Sequence, residues 1–215
     1  MERRDALKQI GLSMGYVIAT PTLLNIVQSC TSQPKWIPVN FTQEEGHVIY
    51  ALTDIIIPKT DTPGAVELDV PHFIDAFVHE VFRTNTLSVF NTSKKTFIGK
   101  LRAATEQEEI TTIQEEDLIP FLDKYLKITK EKERELSIKI GMHTMEDSKL
   151  PIPPEPLEEE DLVYNFLNTI RGLAILGYKA HEYVGEELLA YKPVPDEQKG
   201  CVDLQDATGG KAYSL

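Results

Sequence analysis

The chain has 215 residues, 41% hydrophobic and 26% charged, a globular composition that excludes wholesale disorder and collagen- or mucin-like chains. Its 22 basic against 34 acidic residues leave a net charge of −12, which repels phosphate backbones and disfavours nucleic-acid binding. Two cysteines are too few for a disulfide scaffold or an all-cysteine zinc site.

The first thirty residues differ from the rest. Arg3, Arg4 and Lys8 make a basic start, and no charge follows between Gln9 and Thr31. This is the n-region and h-region pattern of an export signal. Gly11, Gly15, Pro21 and Asn25 make the stretch a poor permanent membrane helix. Arg3-Arg4 followed by Leu7-Lys8 resembles a twin-arginine signal, with Ala6 where a Phe is usual. Val27-Gln28-Ser29-Cys30 is similar to a lipobox, which makes Cys30 a candidate for lipidation; cleavage nearby without a lipid and a retained anchor are the competing readings. The expected divisions are a signal over 1–29, a linker over 30–41, a helical domain over 42–204 and a flexible tail over 205–215. Losing the signal makes the mature chain one unit more acidic, so its own charge does not draw it to anionic lipid.

Beyond the linker the periodicity is helical. Thr42 and Glu45 form a capping box, and Val48, Ile49, Leu52, Ile55 and Ile56 form the apolar stripe of the helix it starts. Pro58 ends that helix, and Asp61, Pro63 and Gly64 supply turn chemistry after it. A second helix is predicted from Val70 to Phe82, with Phe73, Ile74, Phe77, Val78 and Val81 inward. Residues 83–95 read as polar and mobile, and Phe97, Leu101 and Ala104 as a third helix. A fourth runs from Glu115 to Leu126, with Pro120 near its first turn or kinking it; helix-favouring residues continue to Lys139 with poorer periodicity. Four prolines break the chain between Lys149 and Pro156. Glu158–Leu176 is the strongest helix, with Leu162, Phe166, Ile170, Leu173 and Leu176 inward. From Lys192 the chain reads as extended or loop. No segment alternates with a two-residue period, so the fold class is all-α, a single irregular helical domain.

GxGxxG, Walker, GxSxG, HExxH and CxxC motifs are absent. His72, Asp75 and His79 share a helix face at ligand-like spacing, but no fourth ligand is evident and a solvated polar face explains them. Asp54 and Asp61 could form a carboxylate pair; helix-end and turn roles explain them better. Glu158 to Asp161 compensate a helix dipole. His181, Glu182, Glu186 and Glu187 flank Gly185 and could touch a partner, with solvent exposure the default; Cys201 is read as structural or packed. No catalytic, cofactor-binding or metal residue is assigned.

Two groups of segments carry a resemblance. The first is Leu52-Thr-Asp54-Ile-Ile-Ile-Pro58-Lys-Thr-Asp61-Thr-Pro63-Gly64-Ala65 with Val70-Pro71-His-Phe73-Ile74-Asp75. The second is Gly177-Tyr178, Gly185-Glu186, Tyr191-Lys-Pro193-Val-Pro195 and Gly200-Cys201-Val-Asp-Leu204. Both resemble the gluconate 2-dehydrogenase subunit 3 family, with Asp196 where that family carries Gly. The resemblance implies a small noncatalytic subunit. Its partner would be a large flavoprotein of the glucose–methanol–choline oxidoreductase type, which holds the FAD and performs sugar or polyol oxidation. Electrons would pass to a cytochrome c subunit or a quinone pool. The twin-arginine translocase would export the folded pair to the periplasm, where lipid or partner attaches it to the membrane. Pro58, Asp61, Pro63, Gly64, Ala65, Tyr191, Pro193 and Pro195 are then the expected docking residues. The alternatives are a free-standing periplasmic lipoprotein that binds a ligand or envelope component, and a helical metalloenzyme built on His72, Asp75 and His79.

Overall fold

A computed structural model describes residues 36–145, 154–192 and 200–214. Arg3, Arg4, Leu7, Lys8, Cys30, Pro193 and Pro195 lie outside the described residues. The architecture below is that of the unit Pro38–Leu215. Its helices are α1 (Gln43–Ile56), α2 (Val70–Val81), α3 (Thr84–Thr105), α4 (Glu115–Leu126), α5 (Lys130–Thr144), α6 (Glu159–Ala180) and the short α7 (Leu204–Thr208). A 3-10 turn at Ile110–Thr112 precedes α4, and a π-helical turn at Val184–Leu188 follows α6. Among the described residues there is no strand, only an isolated parallel bridge between Ala190 and Tyr213. The fold is all-α, and no described helix is long and apolar enough to cross a membrane.

α6 is the axis. Val163, Phe166, Leu167, Ile170 and Ala174 are almost wholly buried, and α1 to α5 all pack against it. At its middle the Phe166 ring stacks on Phe97 at 4.9 Å and meets Phe90 at 5.6 Å. Phe90 continues edge-on to Phe82, and Phe97 to Phe121. One run of aromatic contacts thus ties α2's exit, α3, α4 and α6 together, each contact contributing about 0.5–1.5 kcal/mol beyond its buried area.

The N-terminus of α6 adds a polar anchor. Glu160 accepts hydrogen bonds from Tyr125 at 2.5 Å and Lys100 at 3.0 Å, and Lys124 lies 3.0 Å away. These bonds, Tyr125 first, depress its carboxyl to a pKa of about 2. Lys100 also pairs with Glu159 at 3.2 Å. Asp161 accepts from Lys139 Nζ at 2.6 Å and from the Glu158 amide at 2.9 Å. Burial would raise that carboxyl, but these two donors outweigh it and hold it low. The acidic run therefore does more than offset a dipole: it takes counter-charges from α3, α4 and α5.

Several expectations are corrected by packing. The stretch from Thr84 to Lys95 is not mobile-looking coil but the first half of α3. Its buried residues, Phe90, Ser93, Phe97, Ile98 and Leu101, carry a helical period hidden among Thr, Asn and Ser. Ser93 accepts from Asn165 Nδ2 at 2.9 Å inside the α3–α6 contact. The run past Leu126 is a separate helix: Thr129 caps α5, accepting from the Lys132 amide, and Leu136 and Ile140 bury its inner side. α6 extends beyond Leu176 to Ala180, and Leu176 is on its outer side. Val81 is likewise exposed. The region after Lys192 contains the short α7.

Phe166→Ala is expected to cost about 3–5 kcal/mol of unfolding free energy, read by denaturant titration. Glu160→Gln should cost only about 1 kcal/mol near neutral pH, because the half-exposed carboxylate is screened by solvent. The sign in pH follows from the depressed pKa. Glu160 contributes its stability above the ordinary carboxyl range and loses it as pH falls toward 2. The wild-type advantage over Glu160→Gln should therefore shrink across that window in thermal melts.

Candidate functional site

Two of the segments that carry the resemblance, the turn before Ala65 and Gly177-Tyr178, meet at the C-terminal end of α6. α1 ends at Ile56, and the chain turns back so that the Ala65 amide donates to the Ile57 carbonyl at 2.9 Å. The closure is tight at Gly64. A Cβ there would lie 2.7 Å from the Lys59 nitrogen and 3.1 Å from the Ile57 oxygen, both backbone atoms. Glu67 braces the turn, accepting from the Gly64 amide at 3.2 Å and pairing with Lys59. The Lys59 contact and the Gly64 amide both hold its carboxyl below the usual range.

α6 clamps this turn from the other side. The Tyr178 hydroxyl donates to the Pro63 carbonyl at 3.0 Å. One residue earlier, Gly177 is the floor for the Phe73 ring of α2: a Cβ at Gly177 would stand 2.5 Å from Phe73 Cδ1. Gly177-Tyr178 and the 58–65 turn, 112 or more residues apart in sequence, thus form one clasp. Its tip, Pro58 to Asp61, is exposed, whereas Gly64 and Ala65 are buried. Of the residues expected to dock, Pro58, Asp61 and Tyr191 offer exposed surface and Pro63 is half-buried; Gly64 and Ala65 belong to the framework.

The remaining candidates are dispersed. Asp75 is buried, contrary to the solvated face expected for it. Its carboxylate accepts the amides of Val39 at 2.7 Å, Asn40 at 2.9 Å and Phe41 at 3.2 Å, fastening the lead-in to α1 onto α2. His72 lies 2.9 Å from the Tyr50 hydroxyl and 3.5 Å from Asp69. Burial, then Asp69, raises the Tyr50 hydroxyl. His79 is exposed beside Glu80. Among the described residues no group of three His, Cys, Asp or Glu side chains is placed to hold a metal ion.

Asp54 does not pair with Asp61. It shares a cavity of about 250 Å³ with His47, Tyr50 and Glu115, where desolvation and the Asp54 carboxylate raise Glu115. Cys201 is exposed rather than packed. An open apolar groove of about 440 Å³ separates α3 from α4, walled by Ala103, Ala104, Pro120, Phe121 and Tyr125. A smaller cavity of about 210 Å³ lies beyond α6, among Lys179, His181, Gly185, Glu186, Tyr191 and Ser214. The π-helical turn behind it, closed by Leu189 N to Val184 O at 2.9 Å, left no periodic signal in the sequence. Nor did the Tyr178 clasp, whose partners are distant along the chain.

Gly177→Ala is expected to force Phe73 from its seat and to cost about 1–3 kcal/mol, the usual range for overpacking. Pairing it with Phe73→Leu should recover part of the loss. Thermal melts of the two variants check this.

Searches among curated proteins and among solved structures return no match. A family model does match: that of gluconate 2-dehydrogenase subunit 3, over residues 43–195. The match begins at the first residue of α1 and takes in the clasp, α6 and Tyr191, more than half of the chain. By this match the chain belongs to the gluconate 2-dehydrogenase subunit 3 family, whose members are subunits of a dehydrogenase complex.

Proposed function

We propose that this chain is the noncatalytic small subunit of a membrane-associated, FAD-dependent sugar or polyol dehydrogenase. In this reading it docks on a catalytic flavoprotein of the glucose–methanol–choline type and carries it through twin-arginine export. The observation that carries the reading is the family membership over 43–195, joined to the Arg3-Arg4 start. Twin-arginine transport moves folded proteins, so a flavin can be inserted in the partner before the pair crosses the membrane.

The chemistry of this chain's own residues is consistent with docking. Its motif residues are committed to packing. Gly64 and Gly177 admit close neighbours, Tyr178 holds Pro63, and Asp75 is engaged by three amides. The result is a stiff exposed tip at Pro58–Asp61 on a helical scaffold, and a preorganised tip binds with little entropy loss. In this reading the flavin belongs to the partner, as the family resemblance implies; this chain carries no GxGxxG sequence of its own. A cytochrome c subunit or a quinone pool would take the next electron transfer.

The test is purification of the tagged full-length chain from its native envelope under gentle extraction. A stoichiometric large subunit with flavin absorption is expected. Replacing Pro58 and Pro63 together by Ala should weaken the complex by about tenfold, since each proline contributes roughly 0.4–1 kcal/mol of preorganisation. Replacing Arg3 and Arg4 by Lys should leave the flavoprotein in the cytoplasm. A lone colourless protein would favour the free-standing lipoprotein instead. Undiminished assembly of the proline variant would remove the tip from the interface.

A further inference from the structure

The cavity of about 250 Å³ between α1 and the start of α4 brings Asp54 and Glu115 to one site. Asp54 lies in the last turn of α1, and Glu115 opens α4. Their carboxyl groups are in hydrogen-bonding contact. Ionised carboxylates only accept hydrogen bonds, so a bond between two of them requires a proton on one. Without that proton two like charges stand side by side, which opposes the second ionisation.

No described cation relieves them. At the starts of α1 and α6 the acids are met by bases from other helices: Glu44 by Arg102, Glu45 by Lys94, Glu160 by Lys100 and Lys124, and Asp161 by Lys139. Neither Asp54 nor Glu115 forms an ion pair with a described residue, and no Lys or Arg lines their cavity. The other titratable groups around the pair are His47 and Tyr50 of α1 and Glu116 of α4. The His47 ring lies 3.1 Å from the Ile113 carbonyl. The Tyr50 hydroxyl lies 2.9 Å from His72, which is 3.5 Å from Asp69. The dipole of α4 favours the Glu115 charge. Desolvation, then the Asp54 carboxylate and Glu116, outweigh it and push that carboxyl above its usual value of 4.5.

We propose that Asp54 and Glu115 share one proton across the α1–α4 contact, so that this contact holds more tightly in acid than at neutral pH. The inference concerns this chain alone and stands apart from the subunit reading. A carboxyl raised by folding contributes its stability fully below its unfolded value and loses it as pH rises through the folded one. That sign is opposite to the sign at Glu160, whose carboxyl is depressed. One fold thus holds two carboxyl sites that answer acid in opposite directions: the anchor at the start of α6 weakens while the α1–α4 contact strengthens. Asp54 stands one helical turn before Pro58, so the contact braces the helix end from which the 58–65 turn departs.

The experiment compares thermal melts of the purified full-length chain across pH. The variants are Glu115→Gln, Asp54→Asn, the two combined and, as control, Glu131→Gln, an exposed acid in the first turn of α5. An amide imitates the protonated carboxyl. Relative to Glu115→Gln and to Asp54→Asn, the wild type should gain about 1–3 °C as pH falls from about 7.5 to about 5. Relative to Glu131→Gln it should gain nothing, because a lone acid at a helix start favours its charged form. The double variant should follow the single ones, since the coupling disappears with either member. Carboxyl NMR resonances of the isotope-labelled chain read the proton directly. Glu115 should titrate above the ordinary glutamate range in the wild type and return to it in Asp54→Asn. A wild type whose melting tracks that of Glu115→Gln at every pH overturns the proposal. So does a Glu115 midpoint that Asp54→Asn leaves unmoved. Should the variants fail to fold, the wild-type titration still decides: a Glu115 midpoint inside the ordinary range overturns the shared proton.

Discussion

The structure depends on α6 being buried along most of its length. A helix enclosed by five others needs apolar residues around more than one face, and Val163, Phe166, Leu167, Ile170 and Ala174 provide them. Enclosure also constrains its neighbours. Phe90 and Phe97 of α3 must both reach Phe166, which requires α3 to run unbroken from Thr84 to Thr105 despite a polar and poorly helix-favouring first half. Local propensity yields to tertiary contact in that segment. The charges follow the same geometry. α3 carries Lys94, Lys95, Lys100 and Arg102 and no acidic residue, in a chain of net charge −12, because it runs beside the acidic first turns of α1 and α6. Lys94 pairs with Glu45 and Arg102 with Glu44, as Lys100 does with Glu159 and Glu160.

The clasp shows why short, widely separated motifs can mark a family. The glycines at 64 and 177 are set by atoms that approach too closely for any side chain, backbone in one case and the Phe73 ring in the other. Tyr178 links the two motifs through one hydrogen bond to a carbonyl. None of these residues needs to touch a substrate. They shape a turn whose tip is exposed and whose base is buried and hydrogen-bonded.

What was legible in the sequence was what depends on near neighbours. The Thr42–Glu45 capping box, the stop at Pro58, the α4 boundaries and the core stripe of α6 follow from spacing within a few residues. The all-α class followed from the same periodicities. Features that depend on distant partners were not legible. Asp75 reads as a surface acid until the amides of residues 39–41 are folded onto it. Glu160 reads as dipole compensation until Tyr125, Lys100 and Lys124 converge on it. Leu176 has the spacing of a core residue, but α6 turns its C-terminal outer side away from the bundle. For the clasp, the motif was legible and its geometry was not: the resemblance singled out Gly64, Ala65, Gly177 and Tyr178 without distinguishing buried framework from exposed tip.

The two ends of α6 handle their acidic residues by different means. At the N-terminus the fold collects three lysines from three helices to neutralise an acidic run that the dipole already favours. Beyond the C-terminus the chain breaks at His181 and starts a new helical turn, so Glu182, Glu186 and Glu187 stand at a helical start rather than at a helix end. Lys179 shares a small cavity with Glu182 and Glu186, and Lys211 reaches the Glu187 carbonyl. These acids are exposed, so solvent screens them and their effect on the fold is small, whereas Glu160 and Asp161 are held by donors from other helices and tie those helices to the axis.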